Sequence, residues 1–210
     1  KRPYHITYCH TPLRYAWETK SYFSNPLFTT LFYPAFSYLR RWDYRAAQIP
    51  HKVLVNSRYI QGKVRHYYGR ESTVVYPPIR GELFYHDPVI PQEDYFLAVG
   101  RLLPYKRFDL ILDAWKTLPF PLKIVGTGPE LKKLSARGGS LPIGQAGALG
   151  GKGNVEFLGY VPDEELRRLY AGARAVIFPQ VEDFGLVAAE AIACGTPVIA
   201  SNRASLPEIL

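Results

Sequence analysis

The chain has 210 residues, 47% of them hydrophobic and 14% aromatic, enough for one large or two modest packed domains and too apolar for a disordered polymer. No apolar run reaches the roughly 18 residues that a membrane-spanning helix requires. Lys and Arg number 26 against 18 Asp and Glu, a balance that favours anionic partners such as nucleotide phosphates or acidic lipid headgroups.

The first expected strand is Tyr4–Cys9, and the chain has no methionine before it or after it. A start inside a strand and an end at Leu206–Leu210, which reads as a helix opening, predict an internal piece of a longer protein. His10 closes that strand. Thr11-Pro12 reads as an N-cap followed by proline at the first helical position, which puts His10 at a strand's carboxyl end facing an interdomain cleft. A lone histidine there is either structural or functional. Arg14 and Trp17, about one turn apart on the next helix, are candidates to line an acceptor site. The aromatic stretch Tyr15 to Tyr44 predicts packed helix. Lys52–Ser57 is a strand, and Ser57 is placed to cap a helix over Arg58–Tyr68. Ser72–Pro78 is a short strand stopped by prolines. Residues 1–78 thus read as the closing part of one α/β domain, and residues 79–93, rich in proline, as a linker.

Residues 94–210 alternate strand, turn and helix. The strands are Tyr95–Gly100, Leu122–Gly126, Val155–Gly159, Ala175–Phe178 and Pro197–Ser201, mostly apolar. Helices follow from Phe108, after Pro129, from Pro162 with its acidic first turn, and over Leu186–Cys194 with Gly195 just past the end. Buried strands alternating with helices predict a parallel sheet covered on both faces, a doubly wound α/β domain. Ser135–Gly153, glycine-rich with few large apolar residues, reads as a surface loop. Cys9 and Cys194 sit far apart in apolar settings and read as buried thiols of a reducing compartment. His5, His51, His66 and His86 have no partner spacing, and no metal-ligand pattern occurs.

The chemistry concentrates at Glu182-Asp-Phe184-Gly185-Leu186-Val187-Ala-Ala-Glu190. Glu182 falls in the loop before a helix and Glu190 inside it, roughly 7 to 9 Å from the free N–H groups at Gly185, Leu186 and Val187. A helix start attracts phosphate, which leaves one carboxylate for a sugar and one for ribose hydroxyls. That arrangement suits a nucleotide-sugar. Gly100-Arg101 and Lys106 follow the domain's first strand, at the sheet edge where open α/β folds bind ligands, and two cations there suit a diphosphate. Gly126-Thr-Gly128 either lets backbone approach a ligand or makes a tight turn. Tyr160 and Val161, at the next strand end, either read a base edge or serve the fold.

Together, Gly100-Arg101 with Lys106, Val-Gly126-Thr-Gly128-Pro, Val155-Glu-Phe-Leu-Gly-Tyr-Val161 and the E-x7-E block before Ala-Cys-Gly-Thr-Pro resemble the retaining glycosyltransferases of family 4. Tyr8-Cys-His-Thr-Pro-Leu-Arg-Tyr-Ala-Trp17 and Asn56-Ser57 resemble the branch of mannosyltransferases that build lipopolysaccharide and related glycans. The resemblance implies a GT-B fold, two Rossmann-like domains facing a cleft, the first acceptor-side and incomplete at its N-terminus, the second donor-binding and incomplete at its C-terminus. It implies that Arg101 and Lys106 stabilise a leaving diphosphate, that Glu182 contacts the donor sugar beside Phe184 and Gly185, that the Leu186 and Val187 amides hold phosphate, and that Glu190 takes the ribose. His10 would reach the reacting sugar. The implied donor is a nucleotide-sugar, GDP-mannose favoured, with a glycan or lipid-linked glycan acceptor and neither metal nor other cofactor. An anionic cytoplasmic membrane face is a possible docking partner; nucleic acid is not expected, because the basic residues are scattered. Ala204-Ser205 departs from the glycines usual in the family. Alternatives are another GT-B enzyme, an epimerase or phosphorylase, or a non-catalytic nucleotide-binding fragment.

Overall fold

The computed structural model describes residues 3–19, 23, 25–138 and 154–210. The chain divides into two compact units, Lys1–Pro77 and Pro78–Leu210. The part of the expected Ser135–Gly153 loop from residue 139 on lies outside the described residues, while Ser135–Gly138 closes the helix Leu131–Gly138.

In the first unit three parallel strands, β1 (Ile6–Cys9), β2 (Lys52–Val55) and β3 (Thr73–Val74), lie in the order β1-β2-β3. Parallel neighbours require crossovers, and helices supply them. Arg14–Trp17, Pro26–Leu31 and Tyr33–Ala47 lie between β1 and β2, and Arg58–Tyr68 lies between β2 and β3. Ser57 caps that last helix through the Ile60 N–H at 3.1 Å, and Gly69 ends it in the left-handed conformation at φ 62°. Val53, Val55, Ile60, Val64 and Tyr68 form the core. The cap expected at Thr11 does not form. The Arg14–Trp17 helix starts later with Leu13 at its cap position, and the Thr11 hydroxyl bonds the Pro12 carbonyl instead.

The second unit holds β4 (Phe96–Val99), β5 (Leu122–Val125), β6 (Val155–Gly159), β7 (Ala175–Phe178) and β8 (Val198–Ala200), all parallel, in the order β6-β5-β4-β7-β8. Side chains alternate across a strand. Leu97 and Val99 therefore join Tyr170, Ala191 and Cys194 on one face, while Ala98 joins Phe108, Ile111, Leu112 and Trp115 on the other. Helices Asp163–Gly172 and Leu186–Ala193 cover the first face, and Phe108–Trp115 and Leu131–Gly138 the second. This is the doubly wound α/β pattern, with parallel sheets in both units. The segment 79–93, read from sequence as a linker, belongs with the second unit, where Phe84 is buried in the core. Among the described residues no helix is long and apolar enough to cross a membrane.

Winding outward from β4 in both directions creates a switch point between β4 and β7. Loops leaving the two strands there diverge and open a crevice, which is where open α/β sheets bind ligands.

Candidate functional site

Two loops border the crevice. The one after β4 carries Gly100, Arg101 and a single 3₁₀ turn over Pro104–Lys106; the one after β7 carries Glu182 to Gly185. Lys106 Nζ and the Glu182 carboxylate form an ion pair across the switch point, and both side chains are largely covered. Arg101 is exposed and makes no ion pair among the described residues. Sequence reasoning put Lys106 on a diphosphate and Glu182 on a sugar; the fold sets them against each other, 76 residues apart along the chain.

Gly185 begins the helix Leu186–Ala193 at φ 91°, a left-handed conformation that disfavours any side chain, and a Cβ there would sit 3.1 Å from Leu206 Cδ2. The residue at the cap position is glycine, so it contributes no side-chain cap. The Leu186 and Val187 N–H groups are therefore the ones that helix geometry leaves without an intrahelical acceptor. The preceding loop is held from β8's side: the Ser205 hydroxyl lies 2.9 Å from the Glu182 carbonyl and 2.8 Å from that of Phe184. The sequence singled out Ser205 only as part of a departure from the family's glycines, with no role for its hydroxyl. Its neighbour Ala204 sits at φ 57°, so the alanine that departs from the family's glycines bears backbone strain.

Glu190 is half-buried on the same helix, and its Oε2 accepts a hydrogen bond from the Tyr170 hydroxyl at 3.2 Å. Burial pushes the Glu190 carboxyl above the usual range, while the Tyr170 bond and nearby Arg80 pull it back. Burial also drives the Tyr170 phenol well above its ordinary value. Twenty residues separate the two, and no sequence signal links them.

Gly126 and Gly128 do allow a close backbone approach, to another loop. A Cβ at Gly126 would overlap the Gly100 carbonyl, and one at Gly128 would overlap the Leu102 backbone. Leu102 N–H donates to the Thr127 carbonyl at 2.9 Å, and Gly126 N–H to that of Gly159 at 2.7 Å, so the loops after β4, β5 and β6 stack directly. Tyr160 is exposed at this edge, whereas the Val161 side chain is buried in the core.

In the first unit His10 follows β1, exposed, with its ring edge-on to Tyr8 at 4.9 Å. Tyr8 is itself fixed by its hydroxyl to the Val75 carbonyl at 2.7 Å. The Trp17 indole, read as a candidate for an acceptor site, donates to Asp43 at 2.7 Å and stacks on Tyr67. Its polar atom is committed within the fold.

The chain is similar to known proteins. The chain is 38% identical over 129 residues to O-antigen chain mannosyltransferase B of Escherichia coli, covering 56% of this chain and 31% of that protein. It is 40% identical over 118 residues to D-inositol 3-phosphate glycosyltransferase of a Mycobacterium species, covering 56% of this chain and 26% of that one. The chain thus spans about a third or less of these relatives. Its fold matches the crystal structure of Anabaena HepE in complex with UDP and glucose, with a TM-score of 0.71, 22% identity, and 98% of this chain against 54% of that one. Sucrose-phosphate synthase from Thermosynechococcus elongatus matches with a TM-score of 0.70 at 22% identity, covering 96% of this chain and 51% of that one. These are GT-B structures, and the family described as glycosyl transferases group 1 matches residues 86–210, the whole of the switch-point site. On that match the chain belongs to the group 1 glycosyl transferases.

Proposed function

We propose that the chain carries the donor site of a retaining, metal-independent glycosyltransferase of the family 4 type, one that moves a hexose from a nucleotide-diphosphate sugar to a glycan or lipid-linked glycan. Mannose is the favoured sugar and GDP-mannose the favoured donor. The observation that carries the reading is the convergence at the β4/β7 switch point of a lysine–glutamate pair with a helix start whose cap residue is a left-handed glycine. The relatives' names support the sugar, since one is a mannosyltransferase of an O-antigen chain.

Chemically, the bond from the anomeric carbon to the diphosphate oxygen breaks and a bond to an acceptor hydroxyl oxygen forms on the same face. The hydroxyl proton passes to the departing phosphate, and the nucleoside diphosphate leaves. Leaving-group charge is the main barrier, and preorganised donors lower it. On this reading Arg101, Lys106 and the Leu186 and Val187 amides supply those donors. Glu182, with the Phe184–Gly185 backbone, fixes the sugar, and Glu190 fixes the ribose. Gly100, Gly126 and Gly128 bring the loops together, and the Tyr160–Val161 backbone lies toward the base. The surplus of basic residues suits an anionic membrane face as the place of reaction.

Calorimetric titration of GDP-mannose, UDP-glucose and UDP-N-acetylglucosamine, with and without chelator, tests this. Binding is expected to survive chelator and to weaken in Arg101→Ala and Glu190→Ala. If both variants bind every donor like wild type, the assignment fails. His10→Ala in the full-length enzyme is expected to spare donor binding and cut turnover.

A further inference from the structure

Tyr170 is fully buried near the end of helix Asp163–Gly172, in an apolar cluster, with its ring edge-on to Phe84 at 5.9 Å. A phenylalanine would fill that volume without desolvating a hydroxyl, so the core does not need the phenol oxygen. The hydroxyl makes one hydrogen bond among the described residues, to Glu190 Oε2 on the neighbouring helix. Its backbone is pinned as well, since the buried Thr196 hydroxyl donates to the Tyr170 carbonyl at 2.5 Å. A rigid donor thus reaches out of the core to one oxygen of a half-buried carboxylate. A carboxylate has two oxygens and about four acceptor directions. With Oε2 held, the plane of the group is set and Oε1 is left for a ligand.

We propose that Tyr170 is a positioning residue for Glu190, holding the carboxylate plane so that its other oxygen accepts from the two ribose hydroxyls of a nucleoside diphosphate. The inference rests on the ribose reading of Glu190 given above. Other charges act on Glu190 too. Arg80 and Asp163, paired with each other at 2.8 Å and both well exposed, pull its carboxyl in opposite directions, and the Cys194 thiol lies on the same side. Exposed charges act through water and are screened. Among the described residues Tyr170 is the one that is both bonded to the group and buried.

A positioning role has a consequence that packing lacks. The phenol favours the ionised carboxylate, so its loss lets burial push the Glu190 carboxyl further up. An ionised acceptor holds ribose hydroxyls more strongly than a neutral one. Affinity is therefore complete above the Glu190 pKa and lost as pH falls through it, and in Tyr170→Phe that loss begins at higher pH.

The test titrates the full chain with GDP and UDP, and with their dideoxyribose counterparts, from about pH 5 to about pH 8. Tyr170→Phe is expected to weaken the better ribonucleotide about 5- to 10-fold near neutrality. It is expected to leave the dideoxy form within about twofold and to move the acid midpoint upward. Equal weakening of ribo and dideoxy forms, or an unmoved midpoint, overturns the proposal and marks Tyr170 as packing alone. Glu190→Gln separates the two levels. If it binds with wild-type affinity and pH profile, the ribose reading of Glu190 is wrong and the positioning role falls with it. If Glu190→Gln is weak while Tyr170→Phe is unchanged, only the positioning role is lost.

Discussion

Gly128→Ala tests whether the site depends on the direct stacking of strand-end loops. A Cβ at residue 128 would lie 2.7 Å from the Leu102 nitrogen and 2.8 Å from its carbonyl carbon, while ordinary contact starts at 3.4 Å. Both sides are backbone and the Leu102 carbonyl oxygen lies nearer still, so no flexible side chain can yield and the loops must part by roughly 1 Å. That movement strains the bonds from Leu102 N–H to Thr127 at 2.9 Å and from Glu130 N–H to Leu102 at 3.1 Å. Overpacking of this kind costs about 1–3 kcal/mol, and each of the two weakened bonds adds up to about 1, for a total of about 1–5 kcal/mol. For a unit of this size, that lowers the melting temperature by about 3–15 °C. Because Arg101 adjoins Leu102, GDP affinity is expected to fall several-fold too. Far-UV circular dichroism melts and calorimetry read both quantities. Gly62→Ala is the control: Gly62 lies inside the Arg58–Tyr68 helix with open space around it, so the same substitution is expected to stabilise by about 0.5–1 kcal/mol. A Gly128→Ala melt within about 2 °C of wild type, with unchanged affinity, would refute the stacking argument.

Ala204→Gly, at a left-handed φ of 57°, is expected to stabilise by about 0.5–1 kcal/mol; a chemical-denaturation midpoint at or below wild type would contradict the strain. Asp87, bonded to Arg167 at 3.0 Å, has its carboxyl held below the usual range by that bond first. Its contribution is therefore complete above the ordinary aspartate value of about 4 and lost as pH falls through the lowered one. The stability gap between wild type and Asp87→Asn, followed by urea titration, is expected to be flat near neutrality and to close only in that acid window. Burial pushes the Cys194 thiol up to about 11, leaving roughly a thousandth as thiolate near pH 8. In a Cys9→Ser background, iodoacetamide is expected to label Cys194 only after unfolding, as read by intact mass.

The sheet of the second unit was legible because its strands are mostly apolar, Lys123 and Glu156 excepted, and are bounded by turn residues. The same period that identifies Phe96–Val99 sends Leu97 and Val99 to one helix layer and Ala98 to the other. Ser57 capped its helix as read from the sequence. Thr11 did not, because a hydroxyl beside proline has a competing carbonyl within reach and local preference cannot rank the two. What sequence could not supply is pairing across distance. Lys106 with Glu182, Tyr170 with Glu190 and Trp17 with Asp43 are set by which strands neighbour one another and which helices share a face. Gly126 and Gly128 signalled a close approach, but whether to a ligand or to a neighbouring loop depended on strand order.

That strand order also explains why the charged groups gather where they do. With β4 at the centre of the sheet, its carboxyl end is where a chain leaving β4 toward β5 and a chain leaving β7 toward β8 diverge rather than cover each other. Lys106 and Glu182 occupy the two lips of that opening and neutralise each other there. On the proposed reading a bound donor cannot simply add to this arrangement. The diphosphate must take Lys106, and the sugar hydroxyls must take Glu182, so an ion pair already formed in a covered place is exchanged for two charge-assisted contacts. The exchange leaves neither charge unpaired, which is the condition for handling charge in a partly dry cleft, since an uncompensated buried charge is costly. A site built this way stays organised before the donor arrives. Its selectivity follows from requiring anion and hydroxyls together: phosphate alone would strand Glu182, and a sugar alone would strand Lys106.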